Sequence, residues 1–272
     1  MHLAERFCTT VRHTGFLAQA DWLWDRVRPL YDQMIALTGQ RGLVRIMNGT
    51  DRMLLTPAFR AVQEVYEPDV WHSLMSEVRA GDTVADVGVF IGLYTLALAQ
   101  RVGAAGRVFA FEPDPANYEI ATQHIALNGL SARVELIQAA VGATDGQVAF
   151  SAQAESGHVL NSVNNMHANL VPCVTLDQIF ARRRLDILKV DVEGYEEMVL
   201  LGGQHLLCDP TRSPRALYIE VHPYAWPATG TTSESLLSLL INNDYYVSTV
   251  QGKPVTRIGG YGEIVARKKV RS

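Results

Sequence analysis

The stretch Asp86-Val87-Gly88-Val89-Phe90-Ile91-Gly92-Leu93-Tyr94-Thr95 (DVGVFIGLYT) joins a short apolar run to a helical pattern that starts at Gly92. Glycine turns of this kind meet nucleotide-like ligands, because the helix N-terminus offers unpaired N–H groups and the strand ends open a crevice. A dinucleotide fingerprint, G-x-G-x-x-G, needs a second glycine so that the backbone can approach a pyrophosphate. Counted from Gly88, that position is Phe90, and the third glycine would fall at Leu93. There is also no G-x-x-x-x-G-K-[ST], so a nucleoside triphosphate has no phosphate cradle. What remains is D-x-G-x-x-x-G, a turn suited to a nucleoside without phosphate.

Outward from the turn, short apolar runs alternate with helical ones. Strands are expected at 83–87, 107–111, 134–139, 186–192 and 216–221, and helices at 92–101, 115–128, 176–182, 195–207 and 233–242. The segments 245–250 and 262–266 can pair as an edge hairpin. Apolar strands alternating with helices imply an α/β fold, with a mostly parallel sheet covered on both faces. Residues 147–176 are rich in Ser, Asn, Gly and His and read as a polar insertion, of which 153–169, with His158, Asn161, Ser162, Asn164, Asn165 and His167, should overhang an acceptor pocket. Residues 14–46 read as aromatic-rich helix. The expected organisation is therefore a helical extension at 1–60, serving as a lid or a dimer element, and a main domain at 61–272.

Composition excludes several classes. The 272 residues are 48% apolar, and 24 basic and 28 acidic residues give a net charge of -4 with no basic stripe, which argues against nucleic acid as a partner. Cys8, Cys173 and Cys208 are odd in number and lack a CxxC pair, so neither a disulfide framework nor a zinc site is indicated and a reducing cytoplasm fits. The segment MHLAERFCTTVRHTG lacks the apolar core of a signal peptide, and no run of about 20 apolar residues could span a membrane. Arg267, Lys268, Lys269 and Arg271 read as a solvated basic tail.

A phosphate-free adenosine cofactor such as S-adenosylmethionine needs a carboxylate at the end of the next strand for its ribose hydroxyls. Glu112 stands there, held extended by Pro113. Asp86 is a candidate acceptor for the ammonium of such a ligand. Two further strand ends are polar: period two puts Lys189, Asp191 and Glu193 on one side, and Tyr218, Glu220 and His222 on another. Charges in apolar parallel strands are costly unless paired or functional. His222 is the leading candidate base, near-neutral at physiological pH, with Glu220 or Asp191 orienting it. Asp191 and Glu193 could instead hold substrate hydroxyls or, with Glu220 and His222, a divalent cation; metal is not favoured, because no dedicated ligand spacing appears. Tyr66, Tyr94, Tyr195, Tyr224 and Trp226 are candidate platforms for a sugar-like acceptor, or members of the core.

In order, DVGVFIGLYTLALA, FEPDPANYEIATQHIALNG, VTLDQIF, DILKVDVEGYEEMVLLGG and IEVHP resemble the landmarks of the FkbM-type methyltransferases, over residues 64–223. The lead-in Val65-Tyr66-Glu67-Pro68 is similar too. The resemblance implies a Rossmann-like class I methyltransferase with a seven-stranded sheet, S-adenosylmethionine as methyl donor, and a hydroxyl on a sugar or natural product as acceptor. Cofactor contacts are then expected at Glu67, Asp86, Gly88, Phe90, Gly92, Tyr94, Glu112, Pro113, Ala140 and Asp191. Substrate contacts are expected at Glu193, Tyr195, His222 and Trp226, and catalytic roles at His222, Asp191, Glu220 and Lys189. Homodimerisation through the N-terminal helices is a further expectation. The family usually has G-A-N-x-G where this chain has Gly88-Val89-Phe90-Ile91-Gly92, so Phe90 departs from its pattern. The rivals are a nicotinamide-dependent oxidoreductase, disfavoured by Phe90 and Leu93, and a non-catalytic protein that keeps the fold.

Overall fold

The structure is a computed structural model that describes residues 42–151, 158–160 and 169–269, together with Arg26 and Pro29. A hairpin of β1 (Leu43–Met47) and β2 (Asp51–Leu55) leads into α1 (Pro68–Glu77). Then follow β3 (Thr83–Val87), α2 (Leu93–Val102), β4 (Arg107–Phe111), α3 (Pro115–Leu127) and β5 (Val134–Ile137). The insertion holds β6 (Ala140–Val141), β7 (Gly146–Ser151), β8 (His158–Leu160) and β9 (Asn169–Val174). The chain continues through α4 (Leu176–Ile179), β10 (Ile187–Val190), α5 (Glu196–Leu201), α6 (Gln204–Cys208), β11 (Ala216–Val221), α7 (Ser233–Asn242), β12 (Tyr245–Thr249) and β13 (Gly262–Lys268).

Seven strands form one sheet in the order β12-β13-β11-β10-β3-β4-β5, and β13 runs antiparallel to both of its neighbours. The apolar strands are buried on both faces. Val84, Val108 and Ile187 enter a core with Trp71, Leu74 and Leu96 of α1 and α2. Ala85, Leu188 and Leu217 enter a second with Leu200 and Leu237 of α5 and α7. The strand order jumps outward from β3 to both sides, so the crevice at its carboxyl end is where a ligand can enter. Within the insertion, β7 and β9 pair antiparallel in a separate four-stranded sheet.

Several boundaries differ from the sequence reading for identifiable reasons. Residues 43–46, assigned to the long N-terminal helix, belong to β1; the Asn48-Gly49 turn, with φ of 48° and 74°, folds that strand onto β2. The rest of that helix, apart from Arg26 and Pro29, which are helical, lies outside the described residues, as does most of the 153–169 overhang. The helix expected at 195–207 is two, α5 and α6. They break at Gly202, where a Cβ would lie 1.9 Å from the carbonyl oxygen of Gly142. Arg267 and Lys268 are not a solvated tail but the end of β13: Arg267 bonds Glu77 and Tyr218, and the Lys268 ammonium donates to the carbonyls of Leu207 and Asn243. Among the described residues no helix is long and apolar enough to cross a membrane.

The glycine turn is pinned from two sides. Gly88 and Val89 donate to the carbonyl of Phe111 at the end of β4, and Gly88, at φ 87°, has the carbonyl oxygen of Asp191 1.7 Å from where a Cβ would stand. His124 supports the turn from α3. Its Nδ1 lies 2.8 Å from the Ile91 carbonyl and its Nε2 3.1 Å from the Thr56 amide, which can only donate, so Nε2 accepts and Nδ1 carries the proton. Gly88→Ala must move the end of β10 as well as bear left-handed backbone strain. It should cost about 3 kcal/mol or more, read as a lower urea midpoint at unchanged slope. An unchanged midpoint would contradict this close approach.

Candidate active site

A cleft of about 300 Å³ opens at the carboxyl edge of the sheet. The turn after β3 divides its lining. On the β4–β5 side stand Glu112, Pro113, Asn117, Ala139, Ala140, Val141 and Phe150; on the β10–β11–β13 side stand Tyr66, Glu67, Asp191, Glu193, Tyr195, Glu220 and Tyr261.

On the first side, Glu112 is buried. Its Oε2 accepts from the Phe90 amide at 2.7 Å and its Oε1 from the Asp114 amide at 2.9 Å. Burial pushes this carboxyl up to about 7, against the two amides. The carboxylate also lines the cleft as an acceptor, which is what a pair of vicinal ribose hydroxyls needs. Asp114 caps α3 through the amides of Ala116 and Asn117, which fixes Pro113 and Asn117 at the rim. The small apolar residues Ala139, Ala140 and Val141 leave room for a flat base. This donor and acceptor set fits an adenosine ligand.

The second side is acidic. Lys189 pairs in register with Asp86 of β3 and Tyr218 of β11. Its ammonium donates to Asp191 Oδ2 at 3.2 Å and stands 4.5 Å from the centre of the Tyr94 ring. Burial alone would lower this lysine; Asp191 and Asp86 reverse that and hold it charged. Burial raises Asp191 above the usual carboxylate range, with Lys189 pulling the other way. His222 is buried too. Its Nδ1 donates to Glu196 Oε1 at 2.8 Å, and its Nε2 lies 3.6 Å from both Glu193 and Glu220. Glu196 is fully buried and also accepts from the Trp226 indole and the Gly194 amide, each at 2.8 Å. Burial works against a charged imidazole, but the hydrogen bond to Glu196 and the nearby carboxylates of Glu220 and Glu193 lift His222 to about 10. Glu220 is held below its usual range against burial by His222, by the Tyr261 hydroxyl it accepts from, and by Lys189. Burial, with the charges of Glu67 and Glu220, raises Glu263 to about 8.

The near-neutral His222 expected from sequence is therefore a cation at neutral pH, because the partner that charges it, Glu196, was not foreseen. Of the expected cofactor contacts, Glu67, Gly88, Phe90, Glu112, Pro113, Ala140 and Asp191 line the cleft; Asp86, Gly92 and Tyr94 do not. Asp86 is fully buried: Thr95 donates to its Oδ2 at 2.6 Å, its Oδ1 has no hydrogen-bond partner among the described residues, and its charge faces Lys189 rather than a ligand ammonium. Tyr94 is spent on Glu67, to which it donates at 2.7 Å. Glu193, Tyr195 and Glu220 line the cleft, whereas Lys189, His222 and Trp226 stand behind it. Sequence reasoning missed Tyr261 and Glu263. The signal was available, since an antiparallel strand begins where its parallel neighbours end, and register places Glu263 opposite Glu220.

Among the described residues two groups could hold a metal ion, Asp191–Glu220–His222 and Glu67–Glu220–Glu263, with ligand atoms within 4.8 Å of one another. In the first, the Lys189 ammonium already pairs with Asp191 at 3.2 Å, and Nδ1 of the His222 ring is committed to Glu196.

A switch-point crevice, a phosphate-free glycine turn and a ribose-type carboxylate one strand later together define a class I S-adenosylmethionine-dependent methyltransferase. The model of the methyltransferase FkbM domain matches residues 86–247, more than half of the 272, and the chain belongs to this family. S-adenosylmethionine is its cofactor. Similar solved structures include a methyltransferase FkbM from Methylobacillus flagellatus, 17% identical with a TM-score of 0.46, covering 68% of this chain and 43% of that one. An S-adenosylmethionine-dependent O-methyltransferase from Thermotoga maritima is 18% identical with a TM-score of 0.44, covering 78% and 68%. A putative rRNA methylase from Clostridium thermocellum is 14% identical with a TM-score of 0.47, covering 74% and 94%. No protein of curated function matches the chain in sequence.

Phe90 sits at φ 52°, left-handed backbone that costs a bulky residue about 1–2 kcal/mol, and its ring is 49% exposed at the cleft. Phe90→Asn should therefore raise stability by about 1 kcal/mol in thermal unfolding, since asparagine tolerates this conformation. A lower midpoint would mean that contacts of the ring outweigh the strain.

Proposed function

We propose that the protein transfers the methyl group of S-adenosylmethionine to a hydroxyl of a sugar or secondary metabolite. The observation that carries this reading is Asp191: a cleft-lining carboxylate, raised by burial, held at 3.2 Å by the Lys189 ammonium and stationed against Gly88 of the cofactor turn. When bound, S-adenosylmethionine supplies an electrophilic methyl on a sulfonium. An alcohol attacks in line only as its proton leaves, so a base near the acceptor oxygen is needed. Asp191 would take the hydroxyl proton as the acceptor oxygen gains the methyl, with S-adenosylhomocysteine as the leaving group.

The neighbouring residues follow from their charge states. Lys189 keeps Asp191 ionised yet poised, and aims it. His222, a cation clamped by Glu196, holds Glu193 and Glu220 as acceptors for the other acceptor hydroxyls. Glu112 takes the ribose diol, with the adenine against Pro113, Ala140 and Val141. The free thiols of Cys173 and Cys208 suit a reducing cytoplasm, where we place the enzyme.

Two tests bear on this assignment. Asp191→Asn should slow methyl transfer by about 100-fold or more while S-adenosylhomocysteine affinity changes little, and a fully active variant would remove it as the base. Glu112 is protonated in the free protein below about 7, and only its ionised form accepts both hydroxyls. S-adenosylhomocysteine affinity, followed calorimetrically, should be constant above that pH and weaken by up to about tenfold per unit below it. Glu112→Gln should weaken binding by about 1.5–3 kcal/mol and abolish the pH dependence; a wild-type profile flat through neutral pH would place the ribose elsewhere.

A further inference from the structure

The two halves of the cleft differ in charge more than methyl transfer to a neutral hydroxyl requires. Among the described residues, no lysine, arginine or histidine lines the cleft, while Glu67, Asp191, Glu193 and Glu220 line its β10–β11–β13 half. The counter-charges, Lys189 and His222, stand buried behind these carboxylates. Neither saturates them. Lys189 reaches one oxygen of Asp191, and His222 Nε2, in a side chain 2% exposed, lies 3.6 Å from Glu193 and from Glu220, beyond hydrogen-bond length, because Glu196 draws the ring through Nδ1. The cofactor brings its own carboxylate along with its ammonium and sulfonium, and its ribose is met by Glu112 in the other half. Aromatic rings complete the acidic half: Tyr66 and Tyr261 line it, and the exposed ring of Phe90 stands at the turn between the halves. Carboxylates framed by aromatic faces attract an organic cation through charge and through the ring quadrupole together.

We propose that the acceptor is cationic, a protonated amino sugar or comparable hydroxylated amine, and that the acidic, aromatic half of the cleft selects it by charge. This rests on the methyl-transfer reading, since it names the acceptor class of the same site. The ammonium sits among Glu67, Glu193 and Glu220, which leaves Asp191 for the reacting hydroxyl. Anionic sugars are excluded from the same place by repulsion.

The test uses three probes of one ring type that differ in charge: glucosamine, N-acetylglucosamine and glucuronate. Binding of S-adenosylhomocysteine to the full chain is measured first, and its absence would overturn the methyltransferase reading and this inference with it. Each sugar is then titrated into the S-adenosylhomocysteine-loaded protein and followed by ligand-observed NMR. Glucosamine should bind at least about tenfold more tightly than N-acetylglucosamine, and glucuronate should not bind. The preference should shrink severalfold from low salt to about 0.3 M salt in the wild-type protein, and again in Glu193→Gln. With S-adenosylhomocysteine bound, equal or tighter binding of N-acetylglucosamine or glucuronate, or binding of none of the three, would overturn the charge selection alone. Displacement of glucosamine by stoichiometric Mn²⁺ would assign the charge to a metal ion and overturn it likewise.

Discussion

The buried ammonium of Lys189 makes the carboxyl edge of this sheet possible. It lies on one rung of the sheet with Asp86 and Tyr218, and reaches Asp191 one pleat further on. A charge with 4% of its surface exposed is tolerable only when its partners are fixed, and here one partner comes from β3 and the other from the end of its own strand. Removing it would leave the fully buried Asp86 without its counter-charge and Asp191 without its ammonium partner. Lysine at this point is therefore structural and chemical at once: it holds β3 to β10 electrostatically and lets an ionisable carboxylate stand at the cleft.

The same junction is set sterically by the glycine turn. The carbonyl of Asp191 occupies the space a side chain at Gly88 would take, so the turn and the strand end that carries Asp191 touch through bare backbone. His124 extends the constraint to the N-terminal hairpin, binding Ile91 in the turn on one ring face and Thr56 after β2 on the other. The glycine turn, the end of β10 and the N-terminal hairpin are thereby referred to a common frame.

Much of this was legible in the sequence. The strands, their order along the chain and the glycine turn follow from local pattern, and Glu112 follows from where a strand must end. Asn48-Gly49 was equally legible as a hairpin, but helical spacing upstream masked it. What could not be read were properties owned by pairs distant in sequence. The charge of His222 depends on Glu196, which pattern places in a helix and only packing brings beneath the imidazole. The withdrawal of Asp86 from the cleft depends on which face of β3 meets α2, where Thr95 donates to it. Arg267 and Lys268 looked like a tail because nothing local reveals that β13 continues far enough for their side chains to reach Glu77, Leu207 and Asn243.

The reversed direction of β13 also sets an order of events. Every other lining residue belongs to a segment synthesised before position 222, yet Tyr261, which donates to Glu220, and Glu263, its partner across the ladder, emerge after α7 and β12. A nascent chain folding from its N-terminus can complete the Glu112 half of the cleft while the acidic half still lacks the wall that Tyr261 supplies. The two halves are thus completed at different times during biosynthesis, the second only when the last strand enters between β11 and β12.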